Sequence, residues 1–256
     1  MKISTTRNNQ SNEKKHIIIS TIILLVAWAV SAYVVDMELK LPSPLRTIEA
    51  ILTIVQSKWF WQSVAATIIR LIQVFVLSML GGMSLGFIAG FFPVIDHLLK
   101  PIILLVRSTP TVVVILLAFI WIGQEKSPVL VGFMVIFPIV YSNILSGLRN
   151  VDEKLVEMGH LYKFDAQKMI RHIYIPSIEP YVRAAMSSAI GLNMKIMIAA
   201  EVICQPRFGV GTQLQQERML ANIPELIAWG IIAIVLVAVI EKLVSIVKPK
   251  RINQSV

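Results

Sequence analysis

Four ionisable residues lie inside long apolar runs of this 256-residue sequence: Arg70, Arg107, Lys195 and Glu201. A charge in the middle of a membrane helix costs about 2.5–3.5 kcal/mol on insertion scales, so such residues are functional candidates by default. Arg70 and Arg107 fall toward the ends of their runs, where snorkelling or bracing a carbonyl is sufficient. Lys195 is more demanding, because it sits in the middle of its run within Asn193-Met194-Lys195. Six residues separate it from Glu201, about 120° around a helix, so the two are not expected to pair directly. Lys195 must attract an anion in a polar pathway or meet a carboxylate from another helix. Glu201 stands with Gln205, Arg207 and the Gly209-Val210-Gly211 turn beyond the end of the same run.

Other chemistry is thin. Cys204 is the only cysteine, and the four histidines, His16, His97, His160 and His172, show no metal-ligand spacing. No nucleophile, histidine and carboxylate form a catalytic arrangement, and no G-x-x-x-x-G-K-[ST] fingerprint is present. The chain is therefore expected to be non-enzymatic, with no cofactor or metal of its own. Its net charge of +9 comes without a basic face interleaved with aromatic residues, so no nucleic-acid partner is expected.

The elements that hold these residues are membrane spans. With 56% apolar and 15% charged residues, the chain reads as an all-α integral membrane protein. About 20 helical residues cross roughly 30 Å of hydrocarbon. Six segments reach that length: Ile17–Val35, Val64–Phe91, Pro101–Ile122, Val129–Leu148, Arg183–Val202 and Leu226–Val247. Ala29-Val30-Ser31-Ala32 looks like a signal-peptide cleavage site, but the apolar run continues to Val35, and a retained span is expected. The connections 1–16, 92–100, 149–183 and 242–256 hold fifteen Lys and Arg, whereas the alternate connections hold six. The positive-inside rule then places both termini and the long 149–183 loop in the cytoplasm. Residues 1–16 and 251–256 read as cytoplasmic tails around one transmembrane domain over 17–250. In the outer connection 36–60, Ser43 can cap a helix started by Pro44. Leu45, Ile48, Leu52 and Val55 give it one apolar stripe, and Trp59 and Trp61 finish it at headgroup level.

The 149–183 loop is patterned. Asn150 and Glu153 suggest a cap, Leu155, Met158 and Leu161 or Tyr162 share a face, and a second helix beginning after Asp165 should end before Pro176. The exposed stripe must pack either on the chain's own membrane helices or into a groove on a second protein. Gly159, costly by up to about 1 kcal/mol inside a helix, points to a close backbone approach there.

From Leu155-Val156-Glu157-Met158-Gly159 to Ile175-Pro176, this loop resembles the "EAA" loop of ABC-importer permease subunits. The resemblance extends through Leu41-Pro42-Ser43-Pro44, Arg107-Ser108-Thr109-Pro110, Phe137-Pro138-Ile139, Ala200-Glu201 and Gly209-Val210-Gly211, features similar to those of the nitrate/sulfonate/taurine-type permeases. It implies a type I importer permease with six spans and a cytoplasmic two-helix coupling loop, in a bacterial inner membrane. It implies as partners a second copy of the chain, two ABC ATPase subunits carrying ATP and magnesium, an extracytoplasmic substrate-binding protein and the lipid membrane. By position, ATPase coupling falls on Val156, Glu157, Met158, Gly159, His160 and Leu161. The charges inside the spans, rather than the resemblance, put Lys195, Glu201 and Arg107 on the expected translocation path; at Lys195 similar permeases commonly carry an aromatic or apolar residue. The implied solute is a sulfonate, taurine or nitrate-like anion, or a thiamine-precursor-like heterocycle. Gly159 departs from the family's second alanine, and Lys163 from its usual glycine, which predicts a different bend between the two loop helices. The competing class is an ion-coupled secondary transporter working without an ATPase, for which Glu201 would be the only acid well inside a span.

Overall fold

The computed structural model describes residues 5–35, 37 and 40–247, and every regular element among them is helical. The distal tail 251–256, Lys2, and Lys248, Lys250 and Arg251 of the charge count lie outside these residues. In chain order the helices are α1 (Thr5–Val35), α2 (Pro44–Gln56), α3 (Lys58–Phe91), α4 (Pro93–Ser108) and α5 (Thr111–Arg149). They are followed by α6 (Glu153–Leu161), α7 (Ala166–Met169), a π-helical turn (Ile170–Tyr174), α8 (Ile175–Cys204), α9 (Val210–Met219) and α10 (Ile223–Val247). Four stretches among the described residues are long and apolar enough to cross a membrane: Lys58–Phe91, Thr111–Arg149, Ala166–Cys204 and Ile223–Lys242. Ile19–Val35 adds a shorter apolar helix.

The chain divides into two compact units. One comprises the residues up to Phe60 together with Leu214–Ile232. Within it, Ser43 caps α2 by accepting from the Arg46 N–H at 3.3 Å, and Pro44 occupies the first turn. The Trp28 indole donates to the Pro42 carbonyl at 3.1 Å, and Phe60 lies 5.8 Å from Trp229, centroid to centroid. The expected stripe of α2 points the other way: Leu45, Ile48 and Leu52 are exposed, while Thr47, Ala50 and Ile54 are buried. Small and β-branched side chains line the packed face, and the large ones stay exposed.

The second unit runs from Trp61 to Gln213 and resumes at Ala233. Its core joins Val74, Ile115, Val131, Ile136, Val140, Ile144, Ala185, Ala189, Met197 and Ala200. Lipid is as apolar as leucine, so helices associate there through close packing of small residues. Gly82, Gly86 and Gly90 form such a seam on α3. A Cβ at Gly82 would stand 2.7 Å from Val140, one at Gly86 3.0 Å from the Tyr141 carbonyl, and one at Gly90 3.1 Å from the Leu148 Cβ. The α3 backbone therefore lies directly on α5. Asn193 of α8 adds a polar tie, donating to the Leu71 carbonyl at 3.0 Å.

Two expected boundaries are corrected. Pro101–Ile122 is not one helix: α4 ends at Ser108, Thr109 and Pro110 are extended, and α5 starts at Thr111. Proline pushes the residue before it out of the α region, and Thr109 obeys with ψ 129°. α5 is itself kinked at Gly123, whose φ of 75° and ψ of 179° are open to glycine alone at low cost. The second correction concerns Pro176, which does not stop the loop's second helix. The π-helical turn at Ile170–Tyr174 widens the helix ahead of the ring, and the Ser177 hydroxyl donates to the Ile173 carbonyl at 2.7 Å. Ala166–Cys204 is thus one continuous path from loop to span.

Candidate functional site: a buried charge cluster and an exposed loop helix

At one end of the second unit α3, α5, α8 and the turn before α9 converge on a charge cluster. Glu201 is fully buried at 0% exposure. Its carboxylate accepts from the Thr67 hydroxyl at 2.9 Å, the Arg70 guanidinium at 2.9 Å and the Gly211 N–H at 3.0 Å. Arg70 donates from the same Nη1 to the Phe208 carbonyl at 2.6 Å, and from Nη2 to Glu125 at 3.1 Å. The other oxygen of Glu125 accepts from the Arg207 N–H at 2.6 Å, and the Val210 N–H donates to Thr67 at 3.0 Å. A buried carboxylate is tolerable only when paired and fully hydrogen-bonded, and Glu201 meets that condition.

The Gly209-Val210-Gly211 turn owes its glycines to this packing. A Cβ at Gly209 would lie 2.7 Å from the Glu201 carboxyl carbon, and one at Gly211 would collide with the Ile198 carbonyl. The structure therefore joins Glu201 with the turn grouped with it in the sequence. Arg70, expected only to snorkel or brace a carbonyl, is the centre of the cluster. Thr67 and Glu125 escaped sequence reading because single polar residues near span ends carry no spacing signal.

Lys195 and Arg107 stand apart. Lys195 is exposed on α8, between the buried Met194 and Ile196, with no carboxylate partner among the described residues. Arg107, also exposed, lies in the last turn of α4 and donates to Ser142 at 3.4 Å.

A second polar group forms where α4 begins and α5 ends. Asp96 is buried and accepts from the Tyr141 hydroxyl at 2.9 Å and from Arg149 at 2.7 Å. Burial works against its charged form, but the hydrogen bonds from Arg149 and Tyr141, with the positive charge of Arg149 and the neighbouring His97, hold the carboxyl below its ordinary value. Asp96 and Arg149 come from two connections that charge counting assigns to the same side of a membrane, and they meet.

The loop follows at once. Asp152, not Asn150, caps α6, accepting from the Lys154 N–H at 2.9 Å. Asn150 is already committed to ending α5, its backbone and side-chain N–H groups both donating to the Ser146 carbonyl. Asp165 caps α7 as expected, at 3.0 Å from the Lys168 N–H. Lys163 makes the bend with φ 53°, the left-handed conformation that glycine adopts freely. Gly159 supplies the close approach: a Cβ there would collide with the Met169 sulfur and lie 2.7 Å from Ile173 Cδ1. The two halves of the loop thus pack on each other at one point. Val156 is half-buried, Glu157, Met158 and His160 are exposed, and Leu161 is 82% exposed.

Residues 82–252 match the family described as "binding-protein-dependent transport system inner membrane component". The chain belongs to this family. The taurine transport system permease protein of Escherichia coli (strain K12) is 27% identical over 200 residues, covering 76% of this chain and 72% of that protein. The putative aliphatic sulfonates transport permease protein of Bacillus subtilis (strain 168) is 24% identical over 230 residues, covering 90% and 82%. A bicarbonate transport system permease protein of a Synechocystis species is 28% identical over 154 residues, covering 59% and 54%. Among solved structures, the MetNI methionine ABC transporter in inward-facing conformations shares the fold, with a TM-score of 0.53 at 15% identity over 72% of this chain and 89% of that one. The permease is thus a multi-helix membrane subunit of an ABC importer, with a type I permease fold.

Proposed function

We propose that this permease carries a small oxyanion-bearing solute, with two copies of the chain forming the path and each α6 docking on an ATPase subunit. The observation that carries the coupling role is the apolar surface left over at α6. Gly159 has already used the internal packing available to the loop, yet Leu155, Met158, Leu161 and Tyr162 stay exposed. A water-facing helix with such a face fits a groove on a partner. Glu157 borders that face, His160 is exposed on the other side of the helix, and Val156 is half-buried.

The continuity from Asp165 through the π-helical turn into α8 supports the mechanism. A displacement of α6 by a closing ATPase pulls on Met169 and Ile173, and through them on the rigid helix that carries Lys195 and Glu201. Both termini and the loop face the cytoplasm in this reading, and the six spans are α1, α3, the broken segment from α4 to Gly123, the part of α5 after Gly123, α8 and α10. Lys195, exposed on α8 without a carboxylate partner among the described residues, and Arg107, beside the broken helix, face the path. Glu201 braces its outer end. The relatives' names refer to taurine, aliphatic sulfonates and bicarbonate, of which the first two carry a sulfonate and the third is an oxyanion. A heterocyclic solute is the second reading.

The experiment is co-purification. Leu161→Glu should lose the ATPase from the purified complex and abolish uptake, while the permease still inserts and folds with unchanged Tm. Lys195→Met should keep the ATPase and lose uptake of the anion. An intact complex with normal uptake in Leu161→Glu would refute the coupling assignment.

A further inference from the structure

Beside the charge cluster, a cleft of about 690 Å³ opens between α3 and α5. Its polar wall consists of Arg70, Gln73, Glu125 and Lys126, and its apolar wall includes Leu77 and Phe133. The two carboxylates on Arg70 are unlike. Glu201 has 0% side-chain exposure and is held from three sides, so it cannot leave, whereas Glu125 is 59% exposed and sits two residues beyond the Gly123 kink. Gln73 and Lys126 are exposed toward the cleft and have no ion pair or hydrogen bond among the described residues.

We propose that Glu125 is a displaceable stand-in for the transported anion. The solute's anionic group takes its place on Arg70 Nη2 and is completed by Lys126 and Gln73. The inference rests on the anionic-solute reading above and locates a site for it. Charge is conserved in the exchange: Arg70 keeps one buried and one exchangeable negative partner, and the released carboxylate is hydrated at little cost because it is already mostly in solvent. Arginine suits the role, since its planar fork can hold a buried carboxylate with one nitrogen and offer the other to a sulfonate or bicarbonate oxygen. Displacement also frees the Arg207 N–H, which Glu125 otherwise holds at 2.6 Å. Occupancy of the cleft is thereby linked to the loss of one of the ties on the turn over Glu201, those of Phe208, Val210 and Gly211 remaining.

Glu125→Gln keeps the acceptor for the Arg207 N–H and removes the competing charge. Binding of ethanesulfonate to the purified permease–ATPase complex, measured by calorimetry, should tighten about ten-fold in this variant. Neutral diethyl sulfone should show no change. Lys126→Met, at an exposed position with no packing to disturb, should weaken ethanesulfonate binding several-fold. A merely structural Glu125 gives the opposite pattern: Glu125→Gln would bind equally or more weakly and melt earlier, which overturns the proposal. So would an absence of ethanesulfonate binding in both wild type and Glu125→Gln. ATP-driven uptake in proteoliposomes with the cognate binding protein separates this from the broader reading. Uptake of a neutral solute alone would sink the anion site and leave the importer intact, whereas loss of the ATPase from wild type would sink the importer assignment itself.

Discussion

At the scale of single residues, burial separates groups that look equivalent as letters. Arg70, Arg107, Lys195 and Glu201 are all charges in apolar runs, but only Arg70 and Glu201 pair, across two helices and 131 positions of sequence. Removing one partner of a buried pair leaves the other unsatisfied, at a cost of about 3–5 kcal/mol, whereas an apolar replacement of both is often nearly neutral. Glu201→Ala should therefore cause a large drop in Tm in detergent, and the double variant Arg70→Met/Glu201→Met should recover much of it. A Glu201→Ala protein that melts like wild type would contradict the buried pairing. Lys163 shows the same dependence on context. It occupies the position where similar permeases have glycine, and it takes the glycine-like conformation anyway, because the chain must reverse between Asp152-capped α6 and Asp165-capped α7.

At the scale of elements, spans marked by continuous apolar composition were legible, and their interruptions were not. α3, α5, α8 and α10 contain four of the six predicted segments, since hydropathy reports composition over about 20 residues. Proline had opposite outcomes at two places. Pro110 separates α4 from α5, with Thr109 extended before it, while Pro176 follows a π-helical turn whose backbone stays helical. The α3 glycine seam went unread because its meaning depends on Val140, Tyr141 and Leu148 lying opposite.

The clasp between α4 and α5 is testable at this scale. Asp96 has a folded-state pKa below its unfolded value, so its stabilising contribution is complete above the unfolded value and is lost as pH falls through the folded one. Asp96→Asn should reduce stability at pH 7 by roughly 0.5–1.5 kcal/mol, the usual worth of such a hydrogen bond, and the gap from wild type should close in acid. Thermal melts of both proteins across pH check this, and a gap that stays constant would refute it.

For the whole molecule, the question is which ends share a side of the membrane. Asp96 meets Arg149 at one end of the second unit, and Arg70, near the end of its span, joins Glu125, which also holds Arg207; Glu125 and Arg207 come from connections assigned to the opposite side. With Cys204 replaced by serine, a single cysteine at Glu49 should react with a membrane-impermeant maleimide in spheroplasts, and one at Leu161 only after lysis. The reverse labelling would invert the topology and remove the coupling role of α6.

Composition and order of residues by themselves determined that this chain is helical and membrane-embedded, and carried the motifs of an importer permease, because apolar length and short local patterns are properties of the linear chain. Tertiary structure alone decided that Arg70 holds Glu201, that Glu125 lies on the same guanidinium within reach of solvent, and that Met169 and Ile173 are what approach Gly159. Those facts depend on which side chains meet across helices far apart in sequence, and a buried ion pair leaves no periodicity by which its two members could be matched.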